Sequence, residues 1–259
     1  MNIQFYKYQG TGNDFVILDN RNKEHNKLTT AQIKLMCDRR FGIGADGLML
    51  LNLADGYDFE MKYYNADGGE SSMCGNGGRC LVKFAHDIGI TKTAYHFIAV
   101  DGPHEASFAN NDWVKIKMKD VNAMDEDSGN RVVDTGSPHY VKIVDDVKHL
   151  NVFEEGRRIR NSKKFKQEGI NVNFVEVERG HIYVRTYERG VENETYSCGT
   201  GVTASALACA HNTGFNNVSV QTPGGELAVE FKKDEKDRFS NIWLSGPATF
   251  VFKGEIELN

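Results

Sequence analysis

Two five-residue stretches, MCGNG at 73–77 and SCGTG at 197–201, place a cysteine in nearly the same glycine-rich setting, 124 positions apart (198 − 74). The same offset carries Thr11, Gly12 and Asn13 onto Thr135, Gly136 and Ser137, and Glu70 onto Glu194. Just before the cysteines it sets Tyr64 and Asn65 against Glu188 and Arg189. Farther along the register drifts to 130, where NDWVKI, with Trp113, answers NIWLSG, with Trp243, the chain's 2 tryptophans. Landmarks recurring in one order mark an internal repeat of about 120 residues. A chain of 259 residues built this way folds as two similar units, each large enough to bury a core.

Within each unit the hydrophobic pattern reads the same way. YDFEMKYY (57–64) alternates Tyr57, Phe59, Met61 and Tyr63 with Asp58, Glu60 and Lys62, the period of a half-buried strand. HIYVRTYE (181–188) is its counterpart and is rich in β formers. A turn follows each strand, then the cysteine, then a helix. After Cys74, Leu81, Phe84, Ala85 and Ile88 recur at helical spacing and Gly89 offers a stop. After Cys198 comes VTASALACA (202–210), apolar or small all round and without charge, which is the composition of a buried helix. The expected fold class is α/β (α+β), with two pseudo-symmetric halves, each a strand-rich sheet or barrel wrapped around a central buried helix that begins at the cysteine.

Charge and cysteine usage narrow the function. A net charge of −5 and a pI near 5.9 give no support for nucleic-acid binding. Arg157, Arg158 and Arg160 with Lys163, Lys164 and Lys166 read as a solvated face. No apolar run approaches the roughly 20 residues a membrane helix needs, so no membrane partner is expected. The N-terminus MNIQFYKYQG has neither a basic n-region nor an apolar h-region, and a cytoplasmic location is expected. The 5 cysteines include no C-x-x-C pair and no cluster with histidine at zinc spacing, so neither a disulfide framework nor a metal site is expected. Cys37, in an amphipathic helix pattern capped near Gly42, and Cys80 and Cys209, inside the two central helices, read as core packing. His139 stands apart from the other histidines because it follows TGSP at a duplicated landmark.

A cysteine at a helix start gains from unpaired backbone N–H groups and from the positive end of the helix dipole, and both favour the thiolate. The glycines of CGNG and CGTG let backbone approach a ligand, and the N–H groups suit a carboxylate. Two such thiols on opposite faces of one carboxylate-bearing carbon could invert its configuration, one removing the α-proton and the other returning one. No residue pattern calls for a cofactor.

Seven ordered stretches carry a closer resemblance: YQGTGNDFVILD (8–19), FGIGADGLML (41–50), YYNADGGESSMCGNGGRC (63–80), DTGSPHYV (134–141), NVNFVEV (171–177), YERGVENETYSCGTG (187–201) and SGPATFVFKGEI (245–256). Together they make the whole chain resemble the diaminopimelate epimerase family. The resemblance implies cofactor-independent interconversion of LL- and meso-diaminopimelate, a small amino-acid substrate, in lysine and peptidoglycan-precursor biosynthesis. It implies halves at 1–118 and 119–250, a C-terminal strand (about 251–259) returning to the first half, and an active site in the cleft between them. Relatives of this kind often form homodimers. Carried over motif by motif, Cys74 and Cys198 are the acid/base pair, assisted by His139 and Glu188. Gly75, Asn76, Gly199 and Thr200 hold the reacting-end carboxylate, while Asn13, Asn65, Asn171, Glu188 and Arg189 bind substrate amino and carboxylate groups. Two positions depart from the family pattern: Ser137 stands where an asparagine commonly contacts the distal end, and Gly47 where some members have glutamine. A two-cysteine racemase of another amino acid, such as histidine, and a thiol redox sensor are the competing readings.

Overall fold

The computed structural model of the chain describes residues 1–109 and 113–258. The chain divides into two compact units, Met1–Ile116 with Pro247–Asn259, and Lys117–Gly246. No helix among the described residues is long and apolar enough to cross a membrane.

The first unit opens with a hairpin, β1 (Asn2–Gly10) and β2 (Asn13–Asp19), closed by Thr11 and Gly12, both with positive φ. Helix α1 (Thr30–Cys37) carries the chain over to β3 (Gly47–Asn52), which lies parallel to β2. A parallel pair demands such a crossover. Thr29 and Gln32 form a capping box at the start of α1. The helix ends at Cys37, earlier than the expected stop near Gly42, because Asp38 turns extended and the following loop folds back. The N–H groups of Gly42, Ile43 and Gly44 then satisfy the carbonyls of Asp38 and Met36.

Strand β4 (Phe59–Asn65) buries Phe59, Met61 and Tyr63 and leaves Glu60, Lys62 and Tyr64 partly exposed, as its alternation requires. It pairs with β3, and then with the short β5 (Glu70–Ser71). Helix α2 (Gly75–Asp87) buries Leu81, Phe84 and Ala85, ends at Ile88, and is followed by Gly89 at φ +97. It packs against β1, β2 and β3. Strands β6 (Ala94–Ala99), β7 (Gly102–Phe108) and β8 (Val114–Lys117) complete this run, with β6 parallel to β4 and the rest antiparallel. Trp113 lies just before β8, and Asn111 and Asp112 of the NDWVKI landmark lie outside the described residues.

The second unit begins with a small extra strand, β9 (Asp125–Asp127), and then repeats the first unit's order. Strands β10 (Asn130–Asp134) and β11 (Pro138–Ile143) form the hairpin, turning through Thr135 and Gly136. Helix α3 (Val152–Arg160) leads to β12 (Asn171–Glu178), parallel to β11. Strand β13 (His181–Glu188) pairs with β12 and then with β14 (Asn193–Thr195). Helix α4 (Gly199–Ala208) is buried from Gly201 to Leu207 and packs against β10, β11, β12 and β13. It also packs against β15 (Gly214–Thr222), β16 (Gly225–Lys233) and β17 (Phe239–Gly246), so strands surround it. Strand β15 is parallel to β13, and β16 pairs antiparallel with both β15 and β17. The last strand, β18 (Thr249–Glu257), pairs antiparallel with β1 from Asn2↔Glu257 to Gln9↔Thr249. Asn259 lies outside the described residues.

The strand pairings therefore correspond one to one, and they correct the sequence offset in one place. Leu48 faces Tyr64 in β3–β4, and Val172 faces Tyr187 in β12–β13. Tyr64 thus answers Tyr187 and Asn65 answers Glu188, not Arg189. A turn one residue longer before β14 restores the offset, since Tyr64 faces Glu70 and Tyr187 faces Glu194. Cys209 is also not inside its helix: it is the C-cap of α4 and is only partly buried.

Gly47 explains its own departure. A Cβ there would lie 2.5 Å from a Tyr63 ring carbon and 2.6 Å from the Tyr64 carbonyl. Tyr63 fills the space a longer side chain would need. We therefore expect Gly47→Gln to destabilise the protein by about 1–3 kcal/mol, the usual cost of overpacking, read as a lower urea midpoint; an unchanged midpoint would contradict this account.

Candidate active site

Both motif cysteines are helix N-caps. Cys74 (φ −94, ψ 130) precedes α2 and Cys198 (φ −113, ψ 111) precedes α4, and neither side chain caps its own helix. The capping position is ordinarily held by Ser, Thr, Asp or Asn, whose side chain engages a first-turn N–H. A cysteine there leaves the positive end of the helix beside a sulfur.

In the first unit the Cys74 thiol donates to Asn13 Oδ1 at 3.7 Å, and Asn76 Nδ2 donates to the same oxygen at 3.3 Å. Asn13 Nδ2 donates to Asp46 at 2.6 Å, which holds the amide in one orientation. Asp46 is in turn bound by Arg39, whose guanidinium also grips Asp14. Burial alone would raise the Asp14 carboxyl, but Arg39 and Lys7 outweigh it and hold the group at about 2. Gly75 opens the helix. Asn65 ends β4, exposed, with its backbone N–H on the Gly69 carbonyl.

Arg79 was not anticipated. It is fully buried one turn into α2 and donates to Asn76 Oδ1 at 3.0 Å and Thr11 Oγ1 at 3.3 Å. Its Nη1 lacks a partner among the described residues. Its signal in the sequence was a lone charge amid GNGGRC.

In the second unit His139, fully buried, sits against the start of α4. Its Nε2 lies 2.9 Å from Thr200 Oγ1, and Thr200 Oγ1 lies 3.5 Å from Cys198 Sγ. The Thr135 hydroxyl donates to the Thr200 carbonyl at 2.8 Å, tying the β10–β11 turn to Gly199–Thr200. Asn171, Ser137 and Arg189 form a second group. Asn171 Nδ2 donates to Ser137 Oγ at 2.9 Å, and its Oδ1 accepts the Arg189 N–H at 2.8 Å. The Arg189 guanidinium reaches the Glu168 carbonyl at 3.1 Å and Ser137 Oγ at 3.4 Å. The serine is thus engaged by both neighbours. Glu188 accepts from the Thr195 hydroxyl at 2.9 Å, with Thr195 on the adjacent β14.

Asn173 and Thr186 were also missed. They lie behind His139, buried, at 3.0 Å (Asn173 Nδ2 to His139 Nδ1) and 2.9 Å (Thr186 Oγ1 to Asn173 Oδ1). The sequence held one clue: Asn171 and Asn173 share a face of the strand's first, fully buried stretch, where the other residues, Val172, Phe174 and Val175, are apolar.

The remaining cysteines are thiols held by packing. Burial pushes the Cys37 and Cys209 thiols up to about 11 and the Cys80 thiol up to about 12.

The family model for "Diaminopimelate epimerase" matches this chain twice, over residues 5–124 and 131–251. The chain belongs to the diaminopimelate epimerase family. The diaminopimelate epimerase of Flavobacterium psychrophilum is 48% identical over 257 residues, covering 98% of this chain and 100% of that one. That of Chlorobaculum tepidum is 42% identical over 260 residues, covering 96% and 99%. Among solved structures, a Bacillus anthracis phenazine biosynthesis protein of the PhzF family shares the fold over 100% of both chains, with a TM-score of 0.80 at 14% identity. A probable proline racemase from Agrobacterium radiobacter does so with a TM-score of 0.69 at 14% identity, over 99% of this chain and 93% of that one. The strand-rich duplicated fold is therefore wider than the diaminopimelate epimerase family.

His139 leaves a trace in stability. Burial, reinforced by the nearby Arg189 charge, lowers its pKa from 6.5 to about 3. Between those values the unfolded chain takes up a proton that the folded chain refuses, so stability falls with acid and is unaffected above the upper value. The slope approaches about 1.4 kcal/mol per pH unit. Urea unfolding of His139→Gln should lack this slope, and curves for variant and parent that run parallel across the window would refute it.

Proposed function

We propose that this protein interconverts LL-2,6-diaminopimelate and meso-diaminopimelate without a cofactor, using Cys74 and Cys198 as the two acid/base groups. The observation that carries the reading is the duplicated N-cap cysteine, one per unit, in a chain of this family. Inversion at carbon needs two groups addressing opposite faces of one α-carbon. A thiolate removes the α-proton as the Cα–H bond breaks, becoming a thiol, and its electron pair stays on the substrate. The other thiol then delivers its proton to the opposite face and is left as thiolate. The two sulfurs have exchanged roles, ready for the reverse reaction.

The α-proton of an amino acid is far less acidic than a thiol, so the carbanion must be stabilised where its charge develops. The first-turn N–H groups at Gly75–Asn76 and Gly199–Thr200 are suited to the substrate carboxylate, onto which that charge delocalises. On this reading Asn13, Asn65, Asn171, Glu188 and Arg189 select the amino and carboxylate groups. Arg189 supplies a fork for a carboxylate, and Glu188 and the asparagine oxygens accept from ammonium. Ser137, already beside the Arg189 guanidinium, adds a hydroxyl to that group. His139, neutral, and Glu188 support the thiols.

The test is α-proton exchange. In heavy water the reduced protein should place deuterium at an α-carbon of LL-diaminopimelate and leave L-histidine unlabelled. Cys74→Ala and Cys198→Ala should each abolish epimerisation while remaining folded. Near-parental turnover in either variant, or label in histidine alone, would defeat the assignment.

A further inference from the structure

Asn173 touches three groups, and one of them fixes its orientation. Its Nδ2 lies 3.2 Å from the Tyr140 carbonyl and 3.0 Å from His139 Nδ1, while Oδ1 meets the Thr186 hydroxyl at 2.9 Å. A backbone carbonyl only accepts, so the amide nitrogen must face Tyr140, and with it His139. Nδ1 is therefore the acceptor, and the proton of the neutral ring sits on Nε2. Nε2–H then donates to Thr200 Oγ1 at 2.9 Å. Among the described residues the hydroxyl has one other partner, Cys198 Sγ at 3.5 Å, and its own proton is left for that sulfur.

We infer that Asn173 is a positioning residue for Cys198: it holds His139 in the Nε2–H form, so that the Thr200 hydroxyl donates to the sulfur and Cys198 rests as the thiolate. This deepens the proposed role of Cys198 as one of two acid/base groups and rests on it. The first unit holds the opposite arrangement. Asp46 fixes Asn13 Nδ2, and Arg79, which only donates, fixes Asn76 Oδ1. Asn13 Oδ1 therefore points at Cys74 and can only accept from it, a contact that favours the thiol there.

The duplication supplies an independent argument. Phe15 faces Gly47 across β2–β3 as His139 faces Asn171 across β11–β12. Met49 faces Tyr63 as Asn173 faces Thr186. Beneath α2 this trio is Phe15, Met49 and Tyr63, and a Cβ on Gly77 would lie 3.3 Å from Met49 Sδ and 3.5 Å from Phe15. Beneath α4 the trio is His139, Asn173 and Thr186, and a Cβ on Gly201 would lie 2.3 Å from Asn173 Oδ1 and 3.3 Å from His139. The fold closes the first site with an aromatic and thioether plug. Burying three hydrogen-bonding side chains at the second costs desolvation that packing alone would not require. Of the titratable groups, His139 from β11 lies against this helix start and feels the Arg189 charge, while Glu188, at the end of β13, alternates onto the same strand face as Thr186.

Two readouts test the inference without substrate, so they stand apart from the identity of the amino acid. Ring ¹⁵N shifts of His139 should show Nδ1 bare and Nε2 protonated, and Asn173→Asp should reverse them, because a carboxylate accepts from Nδ1. Thiolate absorbance in a Cys74→Ala protein, minus that of Cys74→Ala/Cys198→Ala, titrates Cys198. Its thiolate-to-thiol ratio at neutral pH should fall about tenfold in Asn173→Asp, as expected for one lost hydrogen bond to the charged form. Thr200→Val should give the same fall without adding charge, and Thr200→Ser should restore the ratio. A native His139 protonated on Nδ1, or an unchanged ratio in folded Thr200→Val, would overturn it. Should Asn173→Asp fail to fold, the Thr200 pair decides.

Discussion

The structure turns on a cysteine replacing a capping side chain at the start of a buried helix. An ordinary N-cap consumes one of the first-turn N–H groups and anchors the helix. Cys74 and Cys198 do neither through their side chains. Much of the surrounding architecture compensates. The hairpin turns at Thr11–Gly12 and Thr135–Gly136 lie against the helix starts, with Thr11 bound to Arg79 and Thr135 bound to the Thr200 carbonyl. Strands hold each helix from the sides, so its first turn stays in place without a conventional cap.

Duplication makes the two sites comparable, and their differences are chemical rather than architectural. The pairing of β2 with β3 and of β3 with β4 recurs residue for residue in β11–β12 and β12–β13. On that common frame one unit places phenylalanine, methionine and tyrosine beneath its helix and the other places histidine, asparagine and threonine. The first unit instead carries its polarity on the helix itself, at Arg79 and Asn76, and on the hairpin at Asn13.

The elements were legible because their periods were clear. Alternation in β4 and the uncharged surface of α4 announce a half-buried strand and an enclosed helix from residue pattern alone. Both cysteines could be placed at helix starts from the glycines that follow them. What the string concealed was register. A single extra residue before β14 shifts Asn65 from Arg189 to Glu188, and no local signal marks a one-residue insertion in a polar turn. It also concealed what lies behind the cysteines: Asn173 and Thr186 look like ordinary strand residues until strand pairing sets them side by side. Arg79 was visible as a charge, but its burial follows only from the strands packed around α2.

An inverting pair of thiols has to break its own symmetry, because two thiols cannot start a reaction and two thiolates cannot finish one. The cheapest device is a hydrogen-bond donor on one sulfur and an acceptor on the other, each fixed by groups that cannot reverse. On the proposed roles of Cys74 and Cys198, a guanidinium and a backbone carbonyl would serve that purpose, since Arg79 only donates and the Tyr140 carbonyl only accepts. The bias must also stay modest. On the proposed two-thiol mechanism each turnover would leave the protons exchanged, with Cys198 as thiol and Cys74 as thiolate, and a strong preference would trap the enzyme in one direction. Neutral donors and acceptors at 3.5 Å and 3.7 Å from sulfur are weak enough to meet both demands. A full positive charge in direct contact with Cys198 would satisfy only the first, which on the proposed mechanism gives a physical reason for a buried neutral histidine to act through a hydroxyl.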